Sequence, residues 1–592
     1  MKKRILSQHS VFFVVLLLVF LPSSPCIVIN SSPHPLPLSL SSQIDYLIIT
    51  PESFLSVVQP LATWKQQRGL VTSIITVEEI SQNYEGNDLA EAIRNCISQL
   101  YEENKLTWVL LAGGHSQVPT RFVRITDNQF SDNVACDHYY ANLDNNWVLD
   151  DLGFVSILDY YDWDAEVYVG RLPAETPAQM AELVTRQLNY ERSPPVGPWM
   201  KHALFAGAFS NFDEDYNNNN KLDENEFPES DANRYFNWVK ANLLPPDWDS
   251  TLFAETGGLK TTDYYYDKPL NEDRLIEGIN SGATVCMLSG HGSTEAIWRY
   301  IFSKDYDNDS LFDYTEDPHF GSGVPVDKGS FINFLSRFSE INSNEKYGFY
   351  YLSACHVGNF ELSGDCLAEH ILRTSGIGCI ASSQTSWYED FWYERAHAGW
   401  YDEGLAGRFF KQLCVKGINQ PGKTFVEAKL AYVHDRLTLN DTPVYYLPVW
   451  ENKTLAQSNL LGDPEVPLWT SIPLQLDAKV SLTNDEVIIE AISENQPINN
   501  VSVTLTNSTY YWKAVTDSTG QVSFPTSDKV YKNLNLTLSK SNYLPYQEFF
   551  SLASSSTSYI PTSFPEIIIM FIVIVLIAKL RKKERRTREY QN

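Results

Sequence analysis

Apolar runs the length of a single strand, each stopping at small residues, recur along this chain and constrain it to a buried parallel sheet. Tyr46 to Thr50, Val71 to Val77, Trp108 to Gly114, Glu166 to Pro173, Ala203 to Phe209, Thr284 to Ser289, Tyr350 to Ser353 and Gly378 to Ser382 are of this kind. Strands that are apolar on both faces, rather than alternating, are covered by helices on both sides. Helical spacing fills the intervals: about Pro51–Arg68, Asp88–Glu103 with Ala90, Ile93, Ile97 and Leu100 on one face, Thr176–Arg192, Ala232–Leu244 and Cys366–Ser375. This β-α-β rhythm predicts right-handed crossovers. It restarts near Pro194-Pro195, which predicts two α/β subdomains, 43–193 and 194–470. After Ile472 the texture changes to short alternating strands with Asn, Ser and Gly turns, predicting a small β-sandwich over 473–552.

Two of the runs end in chemistry. Ala283 to Leu288 leads into Ser289-Gly290-His291-Gly292-Ser293, and Gly348 to Leu352 leads into Ser353-Ala354-Cys355-His356. In open α/β sheets ligands sit beyond the carboxyl ends of strands. His291 and Cys355 are therefore expected where two neighbouring strands end. A thiol beside an imidazole is a nucleophile with its base. The glycines around His291 allow a substrate backbone to approach and leave N–H groups for an oxyanion. A buried structural cysteine and a strand-end histidine are the competing reading. His356 is the less suitable partner, because adjacent strand residues point to opposite faces.

Length and charge bound the rest. A chain of 592 residues holds more than one core. Its formal charge of −28 argues against nucleic acid as a partner. Eight scattered cysteines give neither a disulfide framework nor a CxxC metal spacing. Lys2-Lys3-Arg4 followed by an apolar run to Leu21 has the layout of a secretory signal, 1–27, with a Ser/Pro-rich linker over 28–42. At the other end a Ser/Thr-rich stalk, 553–563, precedes an apolar segment, 564–580, and a basic tail, 581–592. That order predicts one membrane-spanning helix with the body of the protein outside the cell. Asn452-Lys453-Thr454, Asn500-Val501-Ser502 and Asn535-Leu536-Thr537 are glycosylation sequons of the sort an exported chain carries.

Two acidic loops have the spacing of a calcium loop. In the first, Asp215, Asn217, Asn219, Lys221, Asp223 and Glu226 occupy positions 1, 3, 5, 7, 9 and 12; Lys221 would contribute its carbonyl. In the second the corresponding residues are Asp305, Asp307, Asp309, Leu311, Asp313 and Glu316. The usual Gly at position 6 is Asn220 or Ser310, and solvated acidic loops are the competing reading. Structural calcium is the only cofactor expected; no organic cofactor is.

The chain resembles the gingipain family of cysteine peptidases, family C25, over roughly Tyr46 to Trp469. The resemblance rests on Trp64-Lys65-Gln66-Gln67-Arg68-Gly69-Leu70, the Trp108–Gly114 run, Glu166 to Arg171, Gly290-His291-Gly292-Ser293, Ala354-Cys355, Ile380 to Trp387 and Gly462-Asp463-Pro464. It implies a caspase-like fold, followed by an immunoglobulin-like domain where the sandwich is predicted. It implies Cys355 as nucleophile, His291 as general base and acid, and the N–H groups of Gly292 and Cys355 as the oxyanion hole. Asp231, in Glu229-Ser230-Asp231, matches the carboxylate that reads a P1 guanidinium in arginine-specific members, against an ordinary helix N-cap. Trp387 matches the aromatic wall of that pocket, against ordinary core packing. The family's His-supporting carboxylate is replaced near Phe209-Ser210-Asn211, so a dyad is expected. The resulting expectation is a cell-surface cysteine endopeptidase acting on proteins or peptides, with cleavage after Arg or Lys. The rivals are a sortase-like transpeptidase of the same family and a non-catalytic, calcium-binding surface adhesin.

Overall fold

The computed structural model describes residues 43–126, 131–151, 153–156, 163–211, 230–304, 328–388, 399–438, 447–483, 486–507, 511–525 and 534–550. The expected leader, calcium loops, stalk, anchor and basic tail lie outside these residues. Among the described residues no helix is long and apolar enough to cross a membrane.

Strands β1 (Tyr46–Thr50), β2 (Thr72–Thr76) and β3 (Trp108–Ala112) open the fold. A small separate sheet follows from β4 (Arg121–Thr126), β5 (Ser131–Cys136) and β6 (Val155–Ser156). The chain then forms β7 (Tyr168–Leu172), β8 (His202–Gly207), a hairpin of β9 (Phe209–Asn211) and β10 (Ser230–Asp231), β11 (Asp249–Ala254), β12 (Lys268–Pro269) and β13 (Val285–Ser289). A three-stranded antiparallel sheet comes next, from β14 (His291–Ser293), β15 (Ala296–Lys304) and β16 (Lys328–Leu335). Strands β17 (Gly348–Ser353), β18 (Gly376–Ser382) and β19 (Ser458–Gly462) complete the α/β part.

Eleven of these strands make one continuous sheet in the order β12-β11-β8-β13-β17-β18-β19-β7-β3-β1-β2. The sheet has two halves that run in opposite directions, and β19, which falls in the second expected subdomain, runs with the first half. β19 is parallel to β7 but antiparallel to β18. A wholly parallel sheet is thus corrected to two parallel blocks joined at an antiparallel seam. The seam is closed by glycines. A Cβ on Gly170 would stand 2.4 Å from the Gly462 carbonyl, and one on Gly462, whose φ is +147°, would stand 2.8 Å from Gly378 Cα.

The central strands are buried throughout, as their composition predicts. Alternate residues of β1 and β3 feed opposite cores: Leu47, Ile49, Val109 and Leu111 one, Tyr46, Ile48, Trp108 and Leu110 the other. Helices start where the sequence offers caps. Thr76 and Glu79 form a capping box, as do Thr176 and Gln179 with Pro177 in the first turn, and Asp88 caps the helix Leu89–Asn104.

The Trp64–Leu70 and Gly462–Pro464 motifs meet in a buried ion cluster. Lys65 Nζ lies 2.7 Å from carboxylate oxygens of Glu191, Asp463 and Glu465, and its side chain has no exposed area. Arg68 bridges Glu191 and Glu465, and the Tyr46 hydroxyl donates to Asp463 at 2.9 Å. Burial pulls the Lys65 amine down, but Asp463, Glu191 and Glu465 together hold it above its ordinary range.

Within residues 474–550 two four-stranded antiparallel sheets enclose a core of their own that includes Val487, Ile489, Val503, Leu505, Leu536 and Leu538, and a short parallel pair joins Leu474–Gln475 to Tyr543–Leu544. Ser502 and Ser539 hydroxyls donate to the Arg68 carbonyl at 3.1 and 3.3 Å, tying this unit to the ion cluster. Of the three sequons, Asn452 and Asn535 are buried and only Asn500 is exposed. Asn452 Oδ1 accepts from the Trp163 indole at 3.0 Å.

Lys65→Met leaves Asp463 without a cation, and Glu191 and Glu465 with Arg68 alone. The expected loss is roughly 3–5 kcal/mol of unfolding free energy. Urea denaturation beside the parent chain measures it, and an unchanged midpoint would refute the assignment.

Candidate active site

β13 and β17 are adjacent and parallel, with Val285 opposite Phe349 and Ser289 opposite Ser353. His291 and Cys355 each follow two residues after this last pair. The Gly290 N–H donates to the Ser353 carbonyl at 3.2 Å, so the strands stay paired as they reach the site. Gly292 then lies directly on the Cys355 backbone. A Cβ there would fall 2.3 Å from the Cys355 carbonyl oxygen and 2.8 Å from its nitrogen. This contact admits only glycine and brings together the two residues expected to supply the oxyanion N–H groups.

Cys355 is not on a strand. β17 ends at Ser353, and the chain turns through Cys355 and His356, the latter with φ +59°. The strand-alternation argument against His356 therefore does not hold. What separates it from the thiol is its own partner, since its Nε2 lies 3.0 Å from the Thr385 hydroxyl. All seven described cysteines are free thiols; five are buried, while Cys355 and Cys414 are half-buried.

The Cys355 thiol donates to the Ser386 carbonyl at 3.6 Å. Burial pushes its pKa up, with the Asp402 carboxylate adding to the effect, while contacts to Ser386 and the Lys453 ammonium oppose it. The His291 ring is pushed down to about 4 by burial. It stacks on Trp298 with centroids 4.4 Å apart and planes at 17°. At neutral pH Cys355 is therefore a neutral thiol and His291 a neutral imidazole.

Behind the two strand ends sits a carboxylate that sequence reading missed. Ser289 and Ser353, the last residues of β13 and β17, both donate to Glu403 Oε1, at 3.1 and 2.9 Å. Glu403 and Asp402 are buried in the first turn of the helix Tyr401–Phe410. Burial and the neighbouring Glu403 raise Asp402 to about 8, so it is protonated at neutral pH. Lys453, from the helix Val449–Gln457, has no exposed side-chain area and pairs with Asp132 of β5 at 2.6 Å. An acidic dipeptide at a helix start ordinarily reads as solvated, so nothing local marked these residues. The hydroxyls that end both strands were the available signal.

Asp231 caps the helix Ala232–Asn242. Its Oδ1 accepts from the Asn233 N–H at 2.8 Å and its Oδ2 from the Thr262 hydroxyl. It is 3% exposed, and burial raises its pKa. The hairpin bearing it adjoins the site: the Ala208 N–H donates to the Ser289 carbonyl at 3.1 Å, and the Ala232 N–H to the Ala208 carbonyl at 3.2 Å. Trp387 follows β18. It is 38% exposed, packs on Trp450 with centroids 4.9 Å apart, and accepts from the Asp402 N–H through its carbonyl at 3.1 Å. Its exposure distinguishes it from a core tryptophan. The twelve calcium-loop residues fall outside the described residues. Among the described ones no cluster of three or more His, Cys, Asp or Glu residues is placed to hold a metal.

A thiol and an imidazole that each follow the end of adjacent parallel strands, with Gly292 on the Cys355 backbone, are the elements a cysteine-peptidase site requires. The sequence model of peptidase family C25 matches residues 39–469, and the chain belongs to that family. Gingipain R2 of Porphyromonas gingivalis is 24% identical over 353 residues, covering 58% of this chain and 37% of that protein. The match therefore spans well under half the length of this curated relative. The crystal structure of the Arg-specific cysteine proteinase gingipain R superposes with a TM-score of 0.59 at 19% identity, covering 87% of this chain and 99% of that one. A complex of Porphyromonas gingivalis RgpB pro- and mature domains gives 0.57 at 18% identity, covering 85% and 99%. These structures share the α/β fold.

Because the Cys355 pKa is raised, its thiolate fraction is expected to keep growing as pH rises above 9. The rate of Cys355 alkylation by iodoacetamide should climb throughout that range. A plateau below pH 7 would instead reveal a thiolate–imidazolium pair.

Proposed function

We propose that this chain is a cysteine-type endopeptidase with Cys355 as nucleophile and His291 as general base and acid. The observation that supports this reading is that β13 and β17 end opposite each other at Ser289 and Ser353, two residues before His291 and Cys355, with Gly292 lying on the Cys355 backbone. His291 takes the thiol proton as sulfur attacks the scissile carbonyl, and the N–H groups of Gly292 and Cys355 receive the oxyanion. The imidazolium then gives its proton to the leaving amine. Water, deprotonated by the same imidazole, releases the acid and restores the thiol.

Asp231 and Trp387 are assigned to the P1 side chain, which is Arg or Lys. A carboxylate accepts about four hydrogen bonds, and two of those of Asp231 are taken by the protein. A P1 cation would supply the missing countercharge to a carboxylate that burial disfavours. The exposed Trp387 face suits the aliphatic stem of either side chain. Residues 474–550 are read as an immunoglobulin-like domain. The two acidic loops are read as structural calcium sites, and the terminal segments as a signal and a single-pass anchor that leave the catalytic part extracellular; these assignments rest on sequence spacing.

Turnover of Arg-, Lys- and Asn-headed fluorogenic peptides by the full-length chain tests the activity, and Cys355→Ala should abolish it. Asp231→Asn should lower kcat/KM for Arg-headed peptides by tenfold or more relative to Leu-headed ones; an equal loss for both would leave Asp231 a helix cap only. Chelation should lower the melting temperature by several degrees and added calcium should restore it. A melting curve indifferent to both would remove the metal.

A further inference from the structure

We infer that Trp298 is a positioning residue for His291: the indole stacked on the imidazole fixes its plane, keeps water from one face and steadies the charge the ring acquires. The inference rests on His291 acting as the proposed base and acid.

The antiparallel pairing of β14 and β15 puts His291 directly opposite Trp298. Opposed residues on paired antiparallel strands project from the same face. Their rings lie nearly parallel with centroids 4.4 Å apart. A ring held face to face cannot turn about its last side-chain bond without breaking the stack, so the imidazole nitrogens keep a fixed direction. Trp298 is itself braced. Phe331 of β16 meets it edge-on at 4.7 Å and 89°, and Tyr300 meets Phe331 at 4.9 Å. The paired strands hold these rings as one row, which continues to Phe302 at 4.8 Å from Tyr300.

The stack has a second effect. Burial disfavours the imidazolium, which is why the ring titrates near 4. During the reaction the same ring must carry a proton from sulfur to the leaving amine. A cation over the face of tryptophan is attracted by its π-system, more strongly than over phenylalanine. Trp298 therefore excludes water from the resting base and supports its charged form, an interaction that grows only as the proton moves.

Trp298→Leu keeps apolar bulk and removes the π-face, whereas Trp298→Phe keeps a ring. In the full-length chain Trp298→Leu is expected to lower kcat by tenfold or more with KM within about twofold. With the apolar cover kept and the π-face gone, the imidazolium loses support, so the acid limb of kcat/KM should move further down from near pH 4. Trp298→Phe should recover most of kcat and return the limb. Equal kcat for the Leu and Phe variants, with an unmoved limb, would overturn the inference. His291→Ala and Cys355→Ala run in the same assay keep the two readings apart. Turnover surviving in either one removes the dyad and this inference with it. A dead dyad variant beside a Trp298→Leu enzyme that behaves like the parent removes this inference alone. Should near-UV circular dichroism show Trp298→Leu unfolded, Phe331→Leu, which withdraws the brace, is expected to shift kcat and the acid limb in the same direction by less, and no shift would overturn it.

Discussion

Strand β19 enters the sheet between two blocks that run in opposite directions, and its pairing on both sides is what joins them. Backbone polar groups in a sheet interior must be paired, so neither β18 nor β7 could be left as an open edge here. The approach is close enough that Gly170, Gly378 and Gly462 line the contact. Just past β19, Asp463 and Glu465 reach Lys65 and Arg68, so the same segment that pairs the backbones also neutralises buried charge.

That arrangement explains how the first block helps to build a site that lies on the rim of the second. Running opposite to β18, β7 begins on the rim where β18 ends. The excursion between β3 and β7 therefore crosses from one rim to the other. Its residues bind what they find there: the Ala135 carbonyl accepts from Ser383 and Asn459, the Asp137 N–H donates to Asn459, and Asp132 pairs with Lys453. Lys453 in turn bears on the Cys355 thiol. The surroundings of Cys355 are thus assembled from three distant stretches of chain.

Local signals were legible in the sequence where one residue type answers one local need. The buried runs and the helices that start after Asp88 and Thr176 are of this kind. Strand directions were not legible, because Ser458-Asn459-Leu460-Leu461-Gly462 carries no mark of which neighbour it will oppose. Glu403 was hidden because a carboxylate looks the same in sequence whether water or two serine hydroxyls satisfy it. Trp298 was hidden because its partner is set by the hairpin register of β14 and β15. The Asn452 sequon misled for the opposite reason: a three-residue pattern has no knowledge of burial, and the Trp163 indole occupies that side chain.

The position of β19 has a consequence for how the chain is made. Its two neighbours in the sheet are separated by some two hundred residues of sequence, and β19 itself is synthesised after both. Until Ser458–Gly462 leaves the ribosome, the two blocks expose apolar strands with unpaired edges, the surfaces through which nascent chains aggregate. Contacts of such long sequence separation also form slowly. The strand that completes the sheet is therefore a late checkpoint in biogenesis: β13 and β17 can pair earlier, but the Asp132–Lys453 contact near Cys355 is secured only when the last strand closes the seam.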